Sequence, residues 1–167
     1  MKSAELFYSR EFPETPISGW AGARLYGWVR EKTPSGQIKR PRRVVHPFPS
    51  QRKLWCLLAV HFDGVDLIFA TPLELDQFLA VMSQNPLPSG WALVPGHLVG
   101  RPKRHWLSRL PKAAKSWKFR QSICRFLRQA GIVQEFRDFY AGEPLKLEFD
   151  GVYNNYYDAW SRPVLNT

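Results

Sequence analysis

Apolar residues run almost unbroken through "KLWCLLAVHF", stop at Asp63-Gly64 and resume in "VDLIFA". Asp-Gly between two such runs is the signature of a tight hairpin, because both central residues of the favoured two-residue turn need positive φ. The pattern predicts a β-hairpin from Lys53 to Ala70. The period then changes. In "TPLELDQFLAVMSQ", Thr71 stands as N-cap, Pro72 at the first helical position and Glu74 three residues after the cap, a capping box with the favoured N1 proline. A helix from Pro72 to about Ser83 follows, with Leu73, Phe78, Val81 and Met82 as an apolar stripe toward the hairpin.

A second amphipathic pattern lies in "PKAAKSWKFRQSICRFLRQAG" and predicts a helix from Pro111 to Ala130, stopped by Gly131. At about 100° per residue, Ala113, Trp117, Phe119, Ile123, Cys124, Phe126, Leu127 and Ala130 share one half of the wheel. Lys115, Lys118, Arg125 and Arg128 lie opposite, with Gln121 and Ser122 between them. Acids that would neutralise these cations at i,i+4 are absent. Arg120 alone projects into the apolar sector. A buried guanidinium is costly without a partner, so Arg120 either snorkels to solvent, pairs with an acid of the C-terminal segment, which is the favoured reading, or anchors something functional.

The remaining elements are shorter. A strand is expected from Ala23 to Glu31, ended by the "TPSG" turn, and a short strand or loop in "WALVPGHLVGRPKRHWLSRL". A helix over "IVQEFRDFYA" and a strand over "LKLEFDG" follow. Tyr153, Tyr156, Tyr157 and Trp160 recur at helical spacing and read as a core stripe. Together these elements predict one α+β domain over residues 1–167, an antiparallel sheet built on the central β-hairpin and covered by two or three helices.

Composition changes this picture little. Hydrophobic residues at 44% and aromatic residues at 14% suit a globular chain that folds alone. Cys56 and Cys124 are isolated in apolar segments, which argues against zinc fingers and disulfide scaffolds. No apolar run is long enough for a signal peptide or membrane span, so a cytoplasmic protein without a membrane role is expected.

Charge changes it more. The net charge is +10, and no acid occurs between Asp76 and Glu135, where ten Lys and Arg residues fall. Such segregation points to an anionic partner, with nucleic acid, DNA or RNA, as the first expectation. Backbone contacts are assigned to Lys115, Lys118, Arg125 and Arg128, and to a loop carrying Arg101, Lys103, Arg104 and Arg109. Trp106, beside those cations, is a candidate to stack a base, which favours single strands. Arg40, Arg42 and Arg43, within a second basic run, would form a flanking clamp.

Chemistry is sparsely signalled. His46, His61, His97 and His105 show no metal-ligand spacing, and "GHLVGR" fits neither a phosphate loop nor a dinucleotide fingerprint. No metal, cofactor or small-molecule substrate is expected. A two-residue turn at Asp63-Gly64 sets His61 opposite Asp66, a structural pair. Asp63 and Asp66 with Glu74 or Asp76 are the only candidates for a metal-dependent nuclease centre, a weaker reading.

The segments "MSQNPLPSG", "RPKRHWLSRLPKAAKSWKFRQ" and "EFRDFYA" resemble stretches of small accessory proteins of unknown function on proteobacterial conjugative plasmids and integrative elements. The resemblance covers the middle and later half of the chain and carries no catalytic motif. It implies a bacterial mobile-element product. Two functions compete in that setting: a non-enzymatic nucleic-acid-binding accessory protein, and an inhibitor, for example an anti-CRISPR-like counter-defence protein that docks on a protein or nucleoprotein complex. An inhibitor would depend on aromatic and Arg hot spots such as Trp106 or the "YNNYY" segment.

Overall fold

The computed structural model describes residues 1–18, 20–21, 26–45, 54–94, 105–142, 151–153 and 156–161. Within them lie strands β1 (Lys2–Ser9), β2 (Tyr26–Val29), β3 (Arg42–Val45), β4 (Trp55–Phe62) and β5 (Val65–Phe69), and helices α1 (Pro72–Met82), α2 (Trp117–Gln129), α3 (Gly131–Ala141) and α4 (Tyr156–Ser161). The class is α+β, as the pattern predicts.

The hairpin forms as expected. β4 and β5 pair antiparallel with His61 opposite Asp66 and Phe62 opposite Val65, which leaves Asp63 and Gly64 as the loop, at φ 46° and 84°. Both fall in the left-handed region that this turn demands. β1 pairs along the other edge of β4, from Lys2↔Phe62 to Ser9↔Trp55, so the sheet order is β1-β4-β5. The sequence pattern does not announce β1. Ala4 and Leu6 are only half-buried and Phe7 is exposed, so inside and outside positions do not separate cleanly.

One face of the sheet buries Cys56, Leu58, Val60 and Phe62 from β4 and Val65, Leu67 and Phe69 from β5. Three helices supply the opposing layer. Phe78 of α1 meets Phe69 with ring centroids 5.3 Å apart. Phe119 and Phe126 of α2 meet Phe62 at 5.4 and 5.5 Å. From α3, the buried Tyr140 hydroxyl accepts from the Cys56 N–H (3.0 Å) and donates to the Ala70 carbonyl (2.7 Å). It satisfies main-chain groups at the seam between strand and helix that would otherwise be stranded.

α1 starts where the capping pattern places it, with the Thr71 hydroxyl accepting from the Glu74 N–H at 3.3 Å. The Glu74 side chain departs from the box. Its buried carboxylate accepts from the Ser18 hydroxyl (2.5 Å), the Thr15 hydroxyl (2.9 Å) and the Ala70 N–H (2.7 Å), and so clips the N-terminal segment onto the helix start. Burial pushes this carboxyl above the ordinary carboxylate range, while the Ser18, Ala70 and Thr15 hydrogen bonds pull it back. Leu73 is exposed, contrary to the expected stripe. The buried set Leu75, Phe78, Leu79 and Met82 has i, i+3, i+4, i+7 spacing, and Leu73 lies about 200° from Leu75 on that wheel.

The second helix starts six residues later than its pattern suggests. Lys112–Lys115 forms a single 3₁₀ turn, Ser116 then takes an extended conformation (φ −64°, ψ 144°), and its hydroxyl caps α2 by accepting from the Phe119 N–H at 3.4 Å. Gly131 does not end this helix; it opens α3. Ala130, at φ −68° and ψ 126°, serves as C-cap of α2 and N-cap of α3. One extended residue turns the chain without any left-handed glycine.

A second, small sheet joins β2 to β3, with Trp28 opposite Arg43. Of the predicted strand Ala23–Glu31, Tyr26–Val29 is strand, Arg30 and Glu31 lie past its end and 22–25 lie outside the described residues, and the "TPSG" turn closes through Gly36 N–H to Thr33 O at 2.9 Å. Trp28 also exchanges two main-chain hydrogen bonds of 2.8 Å with Tyr153 and packs edge-on against Tyr156 of α4. Tyr153 is thus a bridge residue rather than part of a helix, and Tyr157 and Trp160 are exposed, so the aromatic stripe is not core. Trp91–Val94 forms turns. The "LKLEFDG" strand falls on 145–151, of which 145–150 lie outside the described residues. Among the described residues, no helix is long and apolar enough to cross a membrane.

Candidate nucleic-acid interface

Lys118, Arg125 and Arg128 stand exposed on the outer face of α2, with Gln121 and Gln129 among them. Among the described residues, none of the three has a carboxylate at ion-pair distance, and the first turn of α2 carries no acid. The positive end of the helix macrodipole adds to the charge beside Lys118. Arg128 is steadied by donating to the Ser83 hydroxyl at 2.8 Å. Lys115, expected on the same helix, sits half-buried on the preceding 3₁₀ turn.

Arg120 is buried at 4% exposure, and its partners among the described residues are main-chain carbonyls, not acids. Its guanidinium donates to the carbonyls of Met82 (3.1 Å), Gln84 and Lys115 (3.0 Å). The last turn of a helix leaves carbonyls without intrahelical donors and carries partial negative charge. Arg120 meets both needs of α1 at once, because its rigid fork offers several N–H groups. This corrects the expected pairing with the C-terminal segment. The same guanidinium lies 4.9 Å from the centroid of the Trp117 ring.

Trp106 is not available for stacking. It is 3% exposed, in the 3₁₀ turn Trp106–Arg109, and lies against Phe78 with centroids 5.4 Å apart at 30°. Its neighbour His105 is also buried, accepts from the Leu107 N–H at 3.2 Å and packs on Trp20 at 4.6 Å. Burial lowers the His105 pKa from 6.5 to about 4. Of the described tryptophans, Trp91 (76%), Trp160 (47%) and Trp117 (39%) reach solvent, and Trp117, at the first position of α2, is the one on the cationic helix. The wheel puts Trp117 with the apolar residues, and no sequence signal sets it apart; only the start of α2 at Trp117 brings it to the end of the helix.

Between the last turn of α1 and the outer face of α2 runs a groove of about 340 Å³, lined by Met82, Ser83, Trp117, Gln121, Arg125 and Arg128, among others. Arg109 is exposed on its 3₁₀ turn, whereas Arg101, Lys103 and Arg104 lie outside the described residues. The chain matches no protein-family model, no characterised protein and no solved structure. Function has to be argued from these side chains.

The proposed clamp of Arg40, Arg42 and Arg43 stands apart. All three are exposed, on or just before β3, whose sheet packs on α4, and among the described residues neither strand of that sheet packs extensively against α2. Arg42 is also engaged: it donates to both Glu31 carboxylate oxygens, at 2.6 and 3.2 Å. That hydrogen bonding holds Glu31 below the usual carboxylate range and raises Arg42. An arginine neutralised in this way contributes little to phosphate binding.

The carboxylates of the nuclease reading disperse. Asp63 faces the N-terminal ammonium at 3.5 Å, Asp66 pairs with His61 at 2.6 Å, Glu74 is enclosed by hydroxyls, and Asp76 pairs with Arg137 at 2.6 Å. Among the described residues, no three His, Cys, Asp or Glu side chains come together as metal ligands would. Cys56 and Cys124 are both buried, and burial pushes the Cys56 thiol up, away from nucleophilic reactivity.

Proposed function

We propose that this chain is a non-enzymatic nucleic-acid-binding protein that holds phosphate backbone on the outer face of α2. The observation that carries the reading is the row of exposed cations Lys118, Arg125 and Arg128 on one helix face with no acid beside them among the described residues. Like charges held on one face repel, and a polyanion relieves that repulsion while releasing its own counterions. The accessory role on a bacterial mobile element is part of this proposal and rests on the sequence resemblance.

The test is titration of labelled single-stranded and duplex DNA and RNA at several salt concentrations. With about three phosphate contacts, the logarithm of the binding constant should fall against that of salt with a slope of about −3 for duplexes and about −2 for single strands. A Lys118→Glu, Arg125→Glu variant, altered at two exposed positions, should lose most of the affinity and reduce the slope by about two. Absence of binding at low salt overturns the reading.

One observation favours the inhibitor as a second reading. Tyr157 and Trp160 are exposed on α4, and the Arg30 guanidinium lies over the Trp160 ring at 4.7 Å. Tyr, Trp and Arg together have the make-up of a protein hot spot. That surface would bind with little dependence on salt and would be lost in Trp160→Ala.

A further inference from the structure

We propose that the groove between α1 and α2 takes single-stranded nucleic acid, with one unstacked base lying on Trp117 and phosphates of the nucleotides that follow it on Arg125 and Arg128. This inference rests on the nucleic-acid reading above and adds the strandedness of the ligand. Three observations carry it. First, a solvent-reaching indole and two cations line one groove: Trp117 stands at one end, and Arg125 and Arg128 lie two to three turns along the same helix. From Trp117 to Arg128 the helix rises about 16 Å, room for a short run of nucleotides.

Second, Trp117 is held in place. The Arg120 guanidinium lies 4.9 Å from its ring centre and is itself fixed to the carbonyls of Met82, Gln84 and Lys115. A ring held by a fixed cation and still 39% exposed can receive a base with little further loss of freedom. Third, the groove sets the exposed Trp117 ring beside the polar Gln121 and Gln129 over a buried floor of Met82 and Cys124, and none of the described residues that line it is an acid. Such a surface suits the face of a base and the edge of a backbone together. Bases inside a duplex are stacked on each other and cannot offer a face to an indole, so the geometry separates single strands from duplexes.

Anisotropy titrations test this with four labelled probes: a 12-nucleotide oligothymidylate, a 12-nucleotide oligouridylate, a 12-base-pair duplex and an abasic 12-mer that keeps only sugar and phosphate. The base-bearing single strands should bind more tightly than the abasic strand. Trp117→Ala should weaken them about 5- to 100-fold, the range expected for one stacked base, and leave duplex and abasic binding within twofold. Trp117→Phe, which keeps an aromatic face, should recover most of the loss. Equal binding of abasic and base-bearing strands, or unchanged oligothymidylate binding in Trp117→Ala, overturns the stacking proposal while leaving phosphate binding intact. Failure of all four probes at low salt overturns both readings together.

Discussion

Removing the Glu74 carboxylate should destabilise the protein by about 2–4 kcal/mol, and the figure can be built from its partners. In Glu74→Ala the Ala70 N–H, fully buried, loses its acceptor; a stranded buried donor costs roughly 1–3 kcal/mol. The Ser18 and Thr15 hydroxyls keep each other at 3.3 Å, so their loss is limited to two hydrogen bonds of about 1 kcal/mol each. Relief from burying an ionisable carboxyl offsets part of the sum. For a chain of this size the melting temperature should fall by roughly 5–15 °C. Glu74→Gln keeps an acceptor for Ala70 and should stay within about 1 kcal/mol of the parent. The pH dependence gives an independent reading. The carboxyl lies above its ordinary value of 4.5 in the fold, so the folded state holds the proton more tightly than the unfolded chain. Its contribution is full below pH 4.5 and is lost as pH rises toward the folded value, a slope that Glu74→Gln should abolish. Urea unfolding of the three proteins across that range is the assay. An alanine variant within about 0.5 kcal/mol of the parent, or glutamine as damaging as alanine, would refute the reasoning.

His105 should show the opposite slope. Its pKa falls from 6.5 to about 4 on folding, so its contribution is present above pH 6.5 and is lost as pH drops toward 4, by up to about 3 kcal/mol; His105→Asn, which keeps an acceptor for the Leu107 N–H, should flatten that part of the stability curve. Arg120→Met should cost about 2–4 kcal/mol in chemical unfolding, because carbonyls of Met82, Gln84 and Lys115 lose their donor; Arg120→Lys should recover only part, since an ammonium lacks the planar fork. Gly64→Ala should cost about 1 kcal/mol by the same measurement, since Gly64 sits at φ 84° and alanine resists that conformation.

Local chemistry explains what could be read in advance. Asp63-Gly64 and Thr71-Pro72 act within a few residues, so the hairpin and the start of α1 follow from the chain alone. The His61 and Asp66 pair follows from the turn length and is found at 2.6 Å. Readings that depended on tertiary partners fared differently. Arg120 stood out as a cation among apolar residues, yet its acceptors are main-chain carbonyls, which every residue has and no sequence marks. Trp106 and Trp117 are equally surrounded by cations in the sequence. Only the packing of Trp106 against Phe78 and His105 decides which indole reaches solvent. The N-cap role of Ser116 was hidden because "PKAAKSW" continues the helical period through a residue that breaks it.

The rivet formed by Arg120 has a consequence for how freely this protein can drift. Its acceptors belong to the backbone at positions 82, 84 and 115, so the side chains at 84 and 115 can be exchanged without losing the attachment, provided that α1 still ends in the same place, while Met82 stays fixed by its own burial in the core. One arginine codon therefore fixes where the cationic helix sits relative to the hairpin, while the surrounding residues stay open to change. Deep mutational scanning should show a sharp intolerance at position 120 beside broad tolerance at 84 and 115.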